Sequence, residues 1–206
     1  MLFDKKKILI VGAHPDDLEY GCGGTVAKYG QNNDIRSLIF APCLEDPQNA
    51  GILQEYLNAM QILGVRKIMK RNLPRDTLED HSQEIRNALH DLKVKFNPRV
   101  VFCHSLSDIH QDHRAIADCC LTLFRDTATL LAYEITRSTR NFAPTLYVAL
   151  SKEDMEKKLK ALHCYKTQYR RTYFKSTIFK ALARVRGTPI NTTYAEAFEI
   201  MRMIDR

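Results

Sequence analysis

Several signatures are missing from this chain of 206 residues, and each absence removes a class of function. No Cys-x-x-Cys pair occurs among Cys22, Cys43, Cys103, Cys119, Cys120 and Cys164, which removes a zinc ribbon. Cys103 sits in an apolar run, and Cys119 and Cys120 lie on a helical pattern. The cysteines therefore read as small buried side chains in a reducing compartment. The start, MLFDKKKILIVGAHP, has no apolar segment long enough for a signal peptide, and no later run approaches the length of a membrane span. The expected setting is the cytoplasm, away from the bilayer. There is no internal repeat, low-complexity tract or linker, and the length suits one domain over residues 1–206. The net charge of +7 comes largely from a late basic stretch including Lys157, Lys158, Lys160, Arg170 and Arg171. No aromatic-basic recognition motif accompanies it, so a solvated basic face is favoured over a nucleic-acid surface.

What is present is an alternation of short apolar runs with amphipathic stretches. Residues 7–13, 35–41, 66–70, 99–105, 129–136 and 144–151 read as strands. Residues 23–32, 50–63, 78–95, 110–124, 153–164, 168–185 and the closing YAEAFEIMRM read as helices, the second ending at Gly64. Strands alternating with helices of this length predict an α/β fold, a Rossmann-like, mostly parallel sheet with helices on both faces. Ligands of such sheets bind beyond the carboxyl ends of the strands, so a polar cluster just after a buried strand is a candidate site.

Two clusters satisfy that condition. His14-Pro15-Asp16-Asp17 follows the first strand, and His110-Gln111-Asp112-His113 follows the strand that ends near Ser105. The glycines of GCGGT do not make a phosphate cradle. The dinucleotide fingerprint needs its glycines directly after the strand, this turn carries carboxylates, and there is no Gly-Lys-Ser/Thr. A metal fits better. Histidine with carboxylate is a donor set for zinc and also for ferrous iron, and the two clusters hold more than the three donors a catalytic zinc requires. The surplus suits the base and electrostatic stabiliser that hydrolysis needs. Either cluster alone would read as a helix cap with a favourable first-turn charge. Two of them at one rim reverse that judgement.

AHPDDLEYGCGGT together with HQDHR resembles the LmbE-like, or PIG-L-like, family of zinc-dependent N-acetylglucosamine deacetylases. YEI at 133–135, RNFAPTLYVALS, KLKALHCYKTQ and YAEAFE resemble further segments of it, so the likeness covers nearly the whole chain. The resemblance implies an LmbE-like fold and an N-acetyl amino-sugar deacetylase. It also implies roles: His14, Asp17 and His113 would hold Zn2+, or Fe2+ in the cell, and Asp16 would act as general base. His110 would be a protonated histidine near the developing oxyanion, oriented by Asp112. Arg140 and Tyr194 would contact the substrate. Whether Asp16 or His110 returns the proton to the amine stays open at this level. The implied partner is a small amino-sugar molecule, and a homo-oligomer is an expectation of the resemblance alone. A rival with the same chemistry is an amidase on a non-sugar N-acyl compound; a basic nucleic-acid binder is a third possibility, disfavoured above.

The chain also departs from that pattern. Leu18 stands where many relatives carry glutamate, with Glu19 one place later. Ile109 and Ile52 stand where arginines are common. These departures bear on substrate identity more than on reaction type. His81 and His90 read as surface residues, and His104 as either a pocket wall or a packed strand end.

Overall fold

In the computed structural model, which describes residues 2–205, the first strand β1 (Lys7–Gly12) lies inside one seven-stranded sheet. Beside it run β2 (Asp34–Ile39), β3 (Lys67–Lys70), β4 (Val100–His104), β5 (Thr129–Tyr133), β6 (Leu146–Leu150) and β7 (Tyr194–Arg202). The order is β3-β2-β1-β4-β5-β7-β6. All pairs from β3 to β5 are parallel, and β7 runs antiparallel to both β5 and β6. The mostly parallel α/β sheet expected from the sequence is thus the fold observed.

Helices α1 (Asp17–Tyr29), α2 (Ile52–Leu63), α5 (Lys152–Leu162) and α6 (Ser176–Gly187) pack on one face, and α3 (Ser82–Lys95) and α4 (Gln111–Phe124) on the other. The alternation in β1 shows how both faces are filled. Ile8 and Ile10 join the core shared with Tyr56, Leu159 and Phe179, whereas Leu9 and Val11 join the core of Ile85, Leu89, Ile116 and Phe124. A strand buried on both sides must be apolar throughout, which is why β1 and β4 read so clearly in the sequence.

Three elements depart from the sequence expectation. Helix α1 starts at Asp17, six residues before the predicted start, and carries Gly21, Gly23 and Gly24 in its interior. Those glycines weaken the local helix signal, but they serve packing: a Cβ at Gly21 would lie 2.2 Å from Tyr133 Cδ2, and one at Gly24 2.4 Å from Leu150 Cδ1. The predicted helix 168–185 is helical only from Ser176, and the segment before it folds irregularly across the rim of the sheet. YAEAFEIMRM is a strand. Its alanines and glutamates favour a helix locally, but β7 fills the gap between β5 and β6 and buries Ala195, Glu196, Ala197 and Phe198. Glu196 is held there by the amides of Gly24 and Thr25 (2.8 and 2.6 Å) and by Lys158 Nζ at 2.6 Å.

The order of strands reverses at β1 and β4: one branch runs out through β2, the other through β5. The carboxyl ends of β1 and β4 flank this switch point, where open α/β sheets bind ligands. Both predicted clusters sit there.

Candidate metal centre and active-site cavity

Ala13 leaves β1 and the chain turns sharply at Asp16, whose φ of 84° lies in the left-handed region that costs a non-glycine residue of order 1–3 kcal/mol. The Asp16 amide donates to Tyr165 Oη at 3.0 Å, and Tyr165 Oη donates to Glu19 Oε1 at 2.7 Å. This turn brings Asp17 back under the strand end. Asp17 Oδ2 accepts the amides of Ala13 (3.1 Å) and His14 (2.7 Å). His104, fully buried at the end of β4, adds its Nε2 at 3.2 Å from the same oxygen. The Ala13 amide lies 3.1 Å from both Asp17 Oδ2 and His104 Nε2. His104 is packed beneath the site, not on the cavity wall.

Two histidines face Asp17, each braced from behind by a second carboxylate. His14 Nε2 bonds Asp112 Oδ2 at 2.9 Å, leaving Nδ1 3.6 Å from Asp17 Oδ2. His113 Nδ1 bonds Asp108 Oδ2 at 2.9 Å, leaving Nε2 3.6 Å from Asp17 Oδ1. Bonds of about 2.0–2.1 Å at a tetrahedral centre place donors about 3.3 Å apart, so the spacing suits an ion between them better than direct hydrogen bonds. A carboxylate behind each ligating imidazole is the arrangement that fixes tautomer and aim in metal centres. The residues fit a metal of the zinc or ferrous type. His14, His110 and His113 form one group of donors within 4.8 Å of one another, and Asp17, His104 and His113 form a second.

The protonation states agree with this division of labour. Burial depresses the His113 pKa, aided by His104, so its Nε2 lone pair is free. Burial also works against a charged His14, but Asp112 and Asp17 outweigh it and raise the group to about 9. A metal there must displace that proton. Burial opposes ionisation of Asp112 too, yet hydrogen bonds from His14 and from the Leu78 and Asp76 amides hold it at about 2. For Asp16, burial and the neighbouring Asp17 push the carboxyl up to about 8, against His14, Arg171 and Arg75. A dication beside it opposes that rise.

Two expectations about the second cluster change. Asp112 does not orient His110: its carboxylate is spent on His14 and on the Asp76 and Leu78 amides (2.8 and 3.0 Å). Nor do the surroundings of His110 favour its protonated form. Its Nδ1 accepts the Asp112 amide at 3.3 Å as the cap of α4, and burial with the nearby His113 and His14 lowers its pKa to about 4. The remaining proton is on Nε2. The residue the sequence reading missed is Asp108, buried behind His113. An aspartate five residues before a histidine at a helix start was the available signal.

The site opens into a cavity of about 290 Å³. His14, Asp16, Asp17, His110 and His113 line its floor, with Tyr20, Ile52, Ile109 and Ile135 on apolar walls. Arg75, Arg137, Gln168, Arg171 and Tyr173 also line it. Ile52 and Ile109, the two departures noted in the sequence, both face this space. Arg140 is exposed and Tyr194 opens β7; neither lines the cavity, and Arg137 stands at the mouth instead. His90 is exposed, and His81 bonds Glu84 at the start of α3, both away from the cavity.

The fold and motifs recur in known proteins. A protein described as an uncharacterized deacetylase, YaiS of Escherichia coli (strain K12), is 29% identical over 175 residues, covering 79% of this chain and 92% of YaiS. The conserved protein TT1542 of Thermus thermophilus superimposes with a TM-score of 0.83 at 25% identity, covering 98% of this chain and 97% of that one. The N,N'-diacetylchitobiose deacetylase of Pyrococcus horikoshii does so with a TM-score of 0.80 at 23% identity, covering 96% and 84%. The PIG-L family pattern, GlcNAc-PI de-N-acetylase, matches residues 9–124, a span that contains both clusters. This chain belongs to the PIG-L family of deacetylases.

Proposed function

We propose that the protein removes the N-acetyl group from an N-acetylglucosamine-type sugar derivative, with His14, Asp17 and His113 holding zinc or ferrous iron and Asp16 acting as base. The observation that carries this is the pair of carboxylate-braced histidines, both aimed at Asp17, with Asp16 beside them on the cavity floor. Relatives of the same fold give the sugar class its support: one deacetylates diacetylchitobiose and another is a teicoplanin deacetylase with a zinc-inhibited form.

A metal bound there supplies a Lewis acid that polarises the acetyl carbonyl and makes water acidic enough to ionise near neutral pH. Asp16 takes the proton from the attacking water. Its backbone, clamped through Tyr165, holds the carboxyl at the floor of the cavity. His110 Nε2–H, neutral and fixed as an ε tautomer, donates to the carbonyl oxygen as negative charge develops on it. A neutral imidazole has no ready proton to release, so Asp16, which took the proton from the attacking water, returns it to the departing amine. Water adds as hydroxyl to the acetyl carbon, its other proton goes to nitrogen, the carbon–nitrogen bond breaks, and the acid proton passes to the amine, so that acetate and the protonated amine leave.

The six cysteines are all free thiols, and among the described residues no helix is long and apolar enough to cross a membrane. Acetate release from a panel of N-acetylglucosamine glycosides and sugar nucleotides tests the proposal, with zinc, with ferrous iron and after chelation. Metal-dependent release from at least one sugar is expected. Release only from a non-sugar N-acyl compound would overturn the sugar assignment.

A further inference from the structure

Of the three arginines on the cavity wall, only Arg75 has an acidic partner, Asp76 at 3.4 Å. Arg137 comes from the loop after β5, and Arg171 from the irregular segment before α6. They meet at one phenol. Arg137 Nη1 donates to Tyr173 Oη at 3.3 Å, and Arg171 Nη1 donates to the same oxygen. Their guanidinium carbons lie 4.9 and 5.8 Å from the Tyr173 ring centre. Among the described residues no carboxylate forms an ion pair with either arginine. Two cations from separate segments thus converge on a neutral hydroxyl inside a cavity. Among the described residues the Tyr173 hydroxyl is the one hydrogen-bond partner either guanidinium has within the protein, and Asp16 is the nearby opposite charge that acts on Arg171. Neither is hydrogen-bonded to Asp16, although Arg171 lies close enough to lower its pKa. Ile52 and Ile109 line the same cavity without charge, so its positive charge comes from Arg75, Arg137 and Arg171.

We propose that Arg137, Arg171 and Tyr173 form a subsite for an anionic group carried by the substrate, a phosphate or a carboxylate attached to the acetamido sugar. Forked guanidinium donors match both groups bidentately, and the phenol fixes the two forks relative to one another. This inference rests on the deacetylase reading of the same cavity. It adds that the substituent, not the sugar ring, decides which substrate is taken.

The test uses the full chain supplied with zinc and four substrates. They are methyl N-acetylglucosaminide as the neutral reference, N-acetylglucosamine 1-phosphate, UDP-N-acetylglucosamine and N-acetylmuramic acid. One charge-assisted contact is worth about tenfold or more. At least one anionic substrate is therefore expected to exceed the neutral one in kcat/KM by about that factor. The phosphate and carboxylate arms separate the two sources of charge. In Arg137→Gln/Arg171→Gln the ratio of anionic to neutral kcat/KM falls toward one, and Arg171→Lys keeps part of it. Equal rates for neutral and anionic substrates in the wild type would overturn the proposal, as would a preference that survives in a folded double variant. Calorimetric binding of inorganic pyrophosphate and of N-acetylmuramic acid judges the subsite apart from turnover. If no substrate releases acetate, the deacetylase reading fails. The subsite then stands if either ligand binds the wild type and not the double variant, and falls if neither binds. Should the double variant misfold, exposed Arg137→Gln alone is read by the same ratio and the same titration.

Discussion

Replacing Asp108 by asparagine separates a ligand-orienting carboxylate from a merely buried one. Asp108 is 1% exposed, and its oxygens are fully engaged. Oδ1 accepts the His110 amide at 2.9 Å, while Oδ2 accepts His113 Nδ1 at 2.9 Å, Ser138 Oγ at 3.0 Å and Thr139 Oγ1 at 3.2 Å. Asparagine keeps the shape but offers one acceptor oxygen and one amide donor. If its oxygen faces His113, its amide confronts the His110 N–H; if it flips, it confronts His113. Either way a buried donor loses its partner, at a cost of about 1–3 kcal/mol. Loss of the brace behind a ligating histidine lowers metal affinity by about 10–100-fold, which is about 1.4–2.7 kcal/mol. Asp108→Asn should therefore weaken zinc binding by that factor in competition with a chromophoric chelator, and lower the urea-unfolding free energy of the metal-free chain. Ser138→Ala keeps the carboxylate and loses one hydroxyl, so its zinc affinity should stay within about threefold of wild type. Wild-type zinc affinity in Asp108→Asn would refute the orienting role, and a stability loss without an affinity loss would make Asp108 structural only.

Asp16→Asn should retain one metal per chain while turnover falls by about 10²–10⁴-fold, the usual contribution of a positioned base, and near-normal turnover would refute that assignment. His14→Ala and His113→Ala should each come off a chelating column with little metal by elemental analysis; full occupancy in either would remove that residue from the ligand set. Glu19 is fully buried, and burial lifts its pKa from 4.5 to about 8 against the Tyr165 hydrogen bond. The unfolded chain then sheds this proton first, so metal-free wild type should lose stability as pH rises from about 4.5 toward 8, and Glu19→Gln should show a shallower limb because Asp16, raised to about 8, still contributes. Parallel pH–stability curves for the two proteins would show that Glu19 does not titrate there. Lys158→Met leaves Glu196 charged, buried and held only by the Gly24 and Thr25 amides; it should cost about 3–5 kcal/mol, and a loss below about 1 kcal/mol would show the pair to be dispensable.

The parts of this molecule that could be read from sequence are those whose signal is local. β1 and β4 are apolar on both faces, α2 stops at Gly64 with a left-handed φ of 81°, and each histidine cluster directly follows or closely trails a strand. What could not be read depends on contacts between distant segments. YAEAFE becomes a strand because a gap between β5 and β6 needs one, and Glu196 faces inward because the amides of Gly24 and Thr25 wait there. Asp112 lies two residues from His110, yet it serves His14, which is far away in sequence, because the start of α4 abuts the end of β1. Asp108 was hidden for a similar reason: its spacing from His113 in SDIHQDH is a local signal, but His110 lies closer in sequence and competes for it.

The Leu18-Glu19 departure shows how far such contacts can redirect a local reading. Its place beside the metal motif suggests a point where specificity begins to differ, but Glu19 does not line the cavity. Leu18 packs under Gly12, where an added Cβ would come within 2.9 Å of its Cδ2, and this close fit presses the start of α1 against the end of β1. Glu19 reaches the other way, accepting from Tyr165, whose oxygen receives the Asp16 amide. That amide belongs to the residue with a φ of 84°, a conformation that needs support from its surroundings. The two residues therefore bear on the chemistry through the main chain of Asp16 rather than through the substrate pocket. Under the proposed subsite, choice of substrate falls to the cavity lining, where Ile52 and Ile109 carry no charge and Arg137 and Arg171 do.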